Sequence, residues 1–397
     1  GFLWASRNYS LAGQWFRRAL DLAQALPESL LHAHSLNRLG NWVANTGQVE
    51  EAMHMHHMAL QMFEDQHDTQ GKAETLDLLG TVSGIFGDTI AAARHYGQAV
   101  ELFRSAGDIP SLISNLSMRI AYASNVASET TLSPLRTSEA CLQDGAEALR
   151  LARQAGLLGA EAFAEVGISY TFASYGEFGT ALAHIQAGLR IASEIGHRQW
   201  TAAAYCAMGL VYVLQLEPTF AKDALATALS LAHELGSAWW IAQTTTCLAR
   251  AYLLKHDLER AEATLAAVLP REQRPRHLGE RGMHLAWGEL ALTQGQPDQA
   301  LQIAVWLLET VPGAATGAGG QPIPWLLRLQ GEALLAMGQV NEAVQVLEEA
   351  KRGALERQDR SRLWYLHGLL ARAYQGAQQE EQARREVMAA RNAIASL

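Results

Sequence analysis

"NRLGNWVANTGQVEEA" (Asn37–Ala52) sets out, in order, an apolar-glycine pair, a glycine seven residues on and an alanine twelve residues on. Each feature returns along the chain. The pair recurs as Leu39-Gly40, Leu79-Gly80, Met208-Gly209 and Trp287-Gly288, and once with glutamine as Gln330-Gly331. A tyrosine stands three residues after that glycine place at Tyr212, Tyr252 and Tyr374. The later glycine is Gly47, Gly87, Gly176, Gly295 and Gly338. The alanine runs from end to end as Ala12, Ala52, Ala92, Ala181, Ala221, Ala261, Ala300, Ala343 and Ala383, with Cys141 in the one gap. The steps are 40, 40, 49, 40, 40, 40, 39, 43 and 40 residues. Seven residues after each comes a second small or apolar place, filled by Ala19, Ala59, Ala99, Ala148, Gly188, Ala228, Val268, Leu307, Ala350 and Ala390. A fixed period of this size means one supersecondary unit stacked many times, a solenoid.

Small residues at the glycine and alanine places let neighbouring helices approach closely. The later glycine supplies the left-handed conformation that ends a first helix. In this order the unit resembles the tetratricopeptide repeat, an antiparallel helix pair stacked into a right-handed superhelix. That repeat is roughly 34 residues long, so a period of 40 predicts helices nearly a turn longer. The expected fold is therefore all-α, a right-handed α-solenoid of about nine helix pairs behind a leading half repeat. The pairs fall at 29–45/49–66, 69–86/89–106, 110–126/136–155, 158–175/178–195 and 198–215/218–235, then 238–255/258–268, 276–294/297–310, 323–337/340–357 and 360–376/379–395. Residues 9–25 form the second helix of a first unit whose partner is almost wholly missing, so residues 1–28 read as a truncated repeat. That beginning suggests one domain, 1–397, taken from a multidomain parent.

Two segments break the period. "VASETTLSPLRTS" (126–138) adds nine residues to the fourth unit, as a polar loop or a longer first helix. "VPGAATGAGGQPIP" (311–324) joins the eighth and ninth units and is rich in Gly, Ala and Pro, the composition of a mobile loop. Both read as surface insertions, which loops accept cheaply; the sharper alternative is a lid or docking segment.

With 397 residues and 49% hydrophobic content the chain buries a large core. A net charge of −9 without a basic block argues against nucleic acid or an anionic membrane as direct partner. Cys141, Cys206 and Cys247 lack paired spacing and read as small core residues of a reduced, cytoplasmic protein. The most apolar run, Thr201–Leu216, is too short for a bilayer and lies in repeat register, hence a buried helix.

Catalytic motifs are missing. There is no phosphate loop ending in Lys-Ser or Lys-Thr, no nucleophile elbow and no CxxC pair. His54, His56 and His57, near His32 and His34, are the one candidate metal cluster. Positions 54 and 57 share a helical face, but nothing acidic at matched spacing completes a set. Position 56 also matches Tyr96, the large-residue place of a second helix, so packing is the competing reading. Carboxylates cluster beside turns, as in "GQVEEA" (Gly47–Ala52) and "GQVNEA" (Gly338–Ala343), where they complement helix N-termini. The expectation is a non-enzyme with no metal and no cofactor.

Ten tryptophans are the compositional oddity. Trp200, Trp239, Trp240, Trp325 and Trp364 stand near the starts of first helices, "GHRQW" (Gly196–Trp200) among them, either extending the stack between repeats or lining a pocket. In tetratricopeptide repeats the first helices line the inner groove. By that resemblance the groove residues are Asn37, Asn41, Asp77, Thr81, Tyr170, Ser174, Thr246, Arg250, Glu289, Arg328, Glu332 and Arg372. The wall is Asn-rich at first, apolar near Cys206, Leu210 and Val213, then alternately charged. Alternating Arg and Glu suit a zwitterionic or peptide ligand; they equally suit bridges between neighbouring repeats.

The period, "NRLGNW" (Asn37–Trp42), "TLDLLGT" (Thr75–Thr81) and the half-repeat start together resemble the C-terminal repeat sensor of bacterial signal-transduction ATPases with numerous domains, the group of the maltose-regulon activator. The resemblance implies a non-catalytic sensor that binds an inducer, protein or peptide in its groove and relays this to attached ATPase and effector domains. The alternatives are a constitutive protein-interaction scaffold and a peptide-pheromone receptor of similar repeat length.

Overall fold

The computed structural model describes residues 9–25, 30–45, 48–125, 127–314 and 320–397. Among them the only regular elements are nineteen helices. The leading half unit is α1 (Tyr9–Gln24). Nine antiparallel pairs follow: α2 (Leu30–Asn45) with α3 (Val49–Asp65), α4 (Thr69–Phe86) with α5 (Thr89–Ala106), α6 (Ile109–Ala123) with α7 (Ser138–Ala155), and α8 (Leu158–Tyr175) with α9 (Phe178–Glu194). Then come α10 (Arg198–Leu214) with α11 (Pro218–Leu235), α12 (Ala238–Leu254) with α13 (Leu258–Ala266) and α14 (Leu278–Thr293) with α15 (Pro297–Glu309). The last are α16 (Pro324–Ala336) with α17 (Val340–Glu356) and α18 (Leu363–Gly376) with α19 (Glu380–Ala395). Each helix packs on its sequence neighbours, and the pairs stack into a right-handed α-solenoid. No helix among the described residues is long and apolar enough to cross a membrane.

The repeat signature maps directly onto packing. Every residue at the first alanine place, Cys141 included, is buried. At four of the five glycine places the helix glycine faces a large residue sixteen positions on, while Gly288 meets Leu329 of the next unit. A Cβ on Gly40 would come within 2.9 Å of His56, on Gly80 within 2.9 Å of Tyr96, on Gly209 within 2.3 Å of Leu225 and on Gly331 within 2.6 Å of Leu347. First and second helices of one unit are thus keyed by a hole and a knob.

Turns follow from the same grammar. Gly87 and Gly107 close α4 and α5 with φ of 95° and 73°. The next residues, Asp88 and Asp108, cap α5 and α6, accepting from the amides of Ala91 at 2.9 Å and Ser111 at 3.2 Å. Where the turn glycine is absent the backbone keeps its shape: Leu216, His256 and Gln378 hold φ of 60°, 57° and 60°. Left-handed geometry costs a side-chain-bearing residue about 1–2 kcal/mol. His256→Gly, at an exposed place, is therefore expected to raise stability by about 1 kcal/mol after the glycine's unfolded-state entropy is set against the relief. An unchanged or lowered urea midpoint would refute this.

The period break in the fourth unit corrects the expected surface insertion. Helix α6 ends at Ala123, and of the segment that follows, residues 124–125 and 127–133 run inward as a strap between early and late repeats. Ser128 and Thr131 are fully buried and Glu129, Thr130, Leu132 and Ser133 nearly so. A polar chain tolerates this only if its backbone finds partners, and distant repeats provide them. Thr131 donates its hydroxyl to the Gly87 carbonyl, and Thr89 donates to the Leu132 carbonyl at 2.6 Å. Arg281 on α14 donates to the Thr130 carbonyl at 2.9 Å. Arg357 donates to the carbonyls of Ser128 at 2.7 Å and Thr131 at 3.2 Å.

The loop of residues 311–324 also reaches across. Pro312 packs on Gly87, and Gln321 exchanges two hydrogen bonds with the backbone of Ser133 at 2.6 and 3.1 Å. Residues 315–319 of that loop, like residues 1–8 of the truncated unit, lie outside the described residues. Closure continues at α8: the Ser174 carbonyl accepts from the amides of Arg360 and Ser361 at 2.9 and 3.0 Å, and Leu397 packs at Gly176.

Candidate functional site

The first helices face inward and the strap divides the space they enclose. On the C-terminal side lies a chamber of about 330 Å³. One wall is apolar, with Leu210, Val213, Leu254 and Trp364; the other carries Arg250, Glu289, Arg328, Glu332 and Arg362. These side chains come from α10, α12, α14, α16 and the start of α18, one per unit, because inward positions of stacked helices repeat with the period.

The charges form a continuous ladder. Glu129 on the strap accepts from Arg250 at 2.9 Å and also from Arg362. Arg250 spans to Glu289 at 2.9 Å, Glu289 accepts in turn from Arg328, and Arg328 reaches Glu332 at 2.7 Å. Tyr365 donates to Glu332 at 2.5 Å. Arg362 also pairs with Asp359 at 2.9 Å and lies 3.6 Å above the Trp325 ring. Burial alone would push Glu129 up, but the guanidinium charges of Arg250 and Arg362 outweigh it and hold the carboxyl at about 2. Glu289 is likewise lowered against its burial by Arg250 and Arg328. Burial works against the two guanidinium charges as well, yet their carboxylate neighbours raise Arg250 and Arg328 above the usual arginine value. Glu129, Glu289, Arg250 and Arg328 are thus ionised at neutral pH. Low surrounding dielectric strengthens each link. The Nε groups of Arg328 and Arg362 find no acceptor among the described residues.

The other expected groove residues spread over three environments. Thr81 and Tyr170 line a second, aromatic chamber of about 290 Å³ on the far side of the strap, with Trp200, Trp239 and Trp240. Thr246 borders a small gap beside Glu129. Asn37 is consumed by packing: its amide donates to Thr75 at 2.7 Å and its oxygen meets His56 at 3.0 Å. Asn41 is half-buried on the same helix. Asp77 is pushed up to about 6 by burial, an effect the bond from Asn115 opposes. The Ser174 hydroxyl bonds back to the Tyr170 carbonyl at 2.9 Å, and Arg372 is exposed.

Among the described residues no three His, Cys, Asp or Glu groups come together around a metal-sized site. His56 is a buried knob, pushed down to about 4 by burial and then by His57. The three cysteines are free and buried.

Sequence reasoning missed Glu129 and Arg362. Register finds only what the period repeats. Glu129 lies in the insertion and Arg362 precedes α18, so neither had a repeat position to reveal it.

This geometry, inward-facing first helices of a long-period helix pair, meets a sequence match to the MalT-like TPR region over residues 39–356. The chain belongs to the MalT-like TPR family. No curated protein matches the sequence. Among solved structures, a Rap protein complexed with Competence and Sporulation Factor is similar at 15% identity and a TM-score of 0.52, over 99% of this chain and 100% of that one. The apo form of RapI aligns at 12% identity and a TM-score of 0.47, over 91% and 98%. A tetratricopeptide repeat protein from Parabacteroides merdae aligns at 13% and 0.41, over 86% and 98%. At 15% identity the likeness to the Rap protein is one of fold. The matched region takes in the strap and the lining of the second chamber, and stops just before Arg357, Arg362 and Trp364.

Proposed function

We propose that this MalT-like TPR region is a non-catalytic binding domain that holds an inducer, peptide or protein segment against the inner wall of its C-terminal half. In the parent chain it would act as the sensor of a multidomain bacterial signalling or transcription-regulatory ATPase, biasing a two-state switch by differential affinity. The observation that carries this is the chamber of about 330 Å³ in which a charged ladder faces an apolar wall. Buried, oriented guanidinium and carboxylate groups recognise zwitterionic or peptide chemistry through charge-assisted bonds, while Leu254 and Trp364 bury side chains. The pinned strap also favours a second reading, a scaffold of fixed shape.

The test is affinity capture from native-host lysate on the full chain, beside a Leu254→Asp/Trp364→Ala variant at two partly exposed lining positions. A partner held by wild type and lost by the variant is the expected result. Equal capture by both would overturn the assignment to this chamber. Strap amides whose hydrogen exchange stays fixed on partner binding would favour the scaffold.

A further inference from the structure

The second chamber differs from the first in one decisive respect: no Asp, Glu, Lys, Arg or His is among the residues lining it. The larger chamber has five charged residues in its wall. An ion entering the neutral chamber would lose its hydration with no counter-charge to meet it, a penalty of several kcal/mol. An anion is the worst served, since the aromatic faces repel it as well.

The walls also select for shape. Trp200 lies flat on Phe163, ring centroids 4.2 Å apart and planes within 8°, and His197 also stacks on Trp200, at 5.3 Å. Such a braced slab offers an aromatic face to a second flat ring. Trp239 and Trp240 add two more indoles from the start of α12. Polar groups are few but unspent: the hydroxyls of Tyr122 and Tyr170 and the amides of Gln199 and Gln243 bond to no described residue. Burial keeps both phenols protonated, so they are available as donors.

One lining residue is small without a packing reason. The repeat's glycine place in this unit is held by Ser169, yet Gly167 stands two residues earlier, on α8. A Cβ there would meet only the Ser117 carbonyl, at 3.7 Å. Contrast the repeat glycines, whose Cβ would strike a knob. An alanine would fit against α6 at this distance, so close helix approach does not by itself require the glycine, which lines the chamber. The chamber, about 290 Å³, lies at the small end of ligand pockets, roughly 300–1,000 Å³.

We propose that this chamber is a binding site for an uncharged, planar aromatic small molecule bearing one or two hydrogen-bonding groups. It is a different site from the charged chamber, on the other side of the strap, and it stands whether or not that chamber binds a peptide.

The test uses two fluorescent dyes sharing one frame, N-phenyl-1-naphthylamine, which is neutral, and 8-anilinonaphthalene-1-sulfonate, which is anionic. Each is titrated into the full chain, following dye emission excited by energy transfer from tryptophan. The expected result is saturable one-to-one uptake of the neutral dye, about tenfold or more tighter than the anion. Gly167→Leu, which adds bulk at a lining position, is expected to abolish uptake. Leucine is a better helix former than glycine by about 0.8 kcal/mol, and circular dichroism checks that the fold survives. Ala121→Leu fills the same space from α6, should Gly167→Leu misfold. Trp364→Ala, in the other chamber, should leave uptake unchanged. No uptake by wild type, equal affinity for both dyes, retention by both filling variants, or loss in Trp364→Ala would each overturn the proposal.

Discussion

Arg357→Ala is expected to cost about 3–5 kcal/mol of stability and to free the strap before the rest of the molecule melts. The guanidinium is nearly inaccessible, and it donates to the carbonyls of Ser128, Thr131 and Pro322 at 2.7, 3.2 and 2.8 Å and to the side-chain oxygen of Gln321 at 3.3 Å. Burial pushes it down to about 10, so it remains charged at neutral pH. Each charge-assisted bond contributes about 1.5–3 kcal/mol, and a buried carbonyl left without a donor costs about 1–3. These terms overlap, which is why their sum is not the prediction. Lysine in its place should rescue little, since one ammonium cannot fan out to acceptors on both segments. Urea unfolding gives the stability, and hydrogen exchange at residues 127–133 gives the location. A loss below about 1 kcal/mol, or unchanged exchange in the strap, would show that the apolar contacts alone hold it.

Glu129→Ala should cost about 2–4 kcal/mol, because it removes the counter-charge that Arg250 and Arg362 share and leaves each buried guanidinium with one carboxylate, Glu289 and Asp359 respectively. It should also change the acid response. The carboxyl titrates at about 2 in the folded chain against an ordinary 4.5. A depressed folded value means stability that is complete above about 4.5 and is lost as pH falls through about 2. Wild type is therefore expected to lose stability across that window, and Glu129→Gln to lose less over the same interval from a lower start. Urea midpoints measured from pH 5 to pH 2 check this. Parallel curves for wild type and Glu129→Gln would mean that other carboxylates govern acid unfolding.

What was legible in the sequence was whatever the period repeats. Ala52 and Ala92 are buried, and Gly80 meets Tyr96, because helix-pair stacking imposes the same local contact in each unit. Groove register picked out Arg250, Glu289, Arg328 and Glu332 for the same reason, and the structure joins them in one ladder. It also picked out Asn37 and Arg372, where identical register leads to a packed amide and an exposed cation. Register gives the side of a helix, not what stands opposite. The strap was illegible because its burial is decided elsewhere: "SETT" (Ser128–Thr131) looks solvated until Arg281 and Arg357 arrive from more than a hundred residues away. Local composition carries no trace of such partners.

An open stack of repeats passes a disturbance only from neighbour to neighbour, each interface absorbing part of it. Here Arg357 touches the carbonyls of Ser128 and Thr131, while Thr131 and Leu132 bond to Gly87 and Thr89. The end of α17 and the turn between α4 and α5 are thus a few bonds apart, though more than 260 positions separate them in the sequence. The chain is connected like a clasped necklace, with a short cut between beads that would otherwise be remote. A shift of the ninth unit is felt at the third directly, without travelling through the units between.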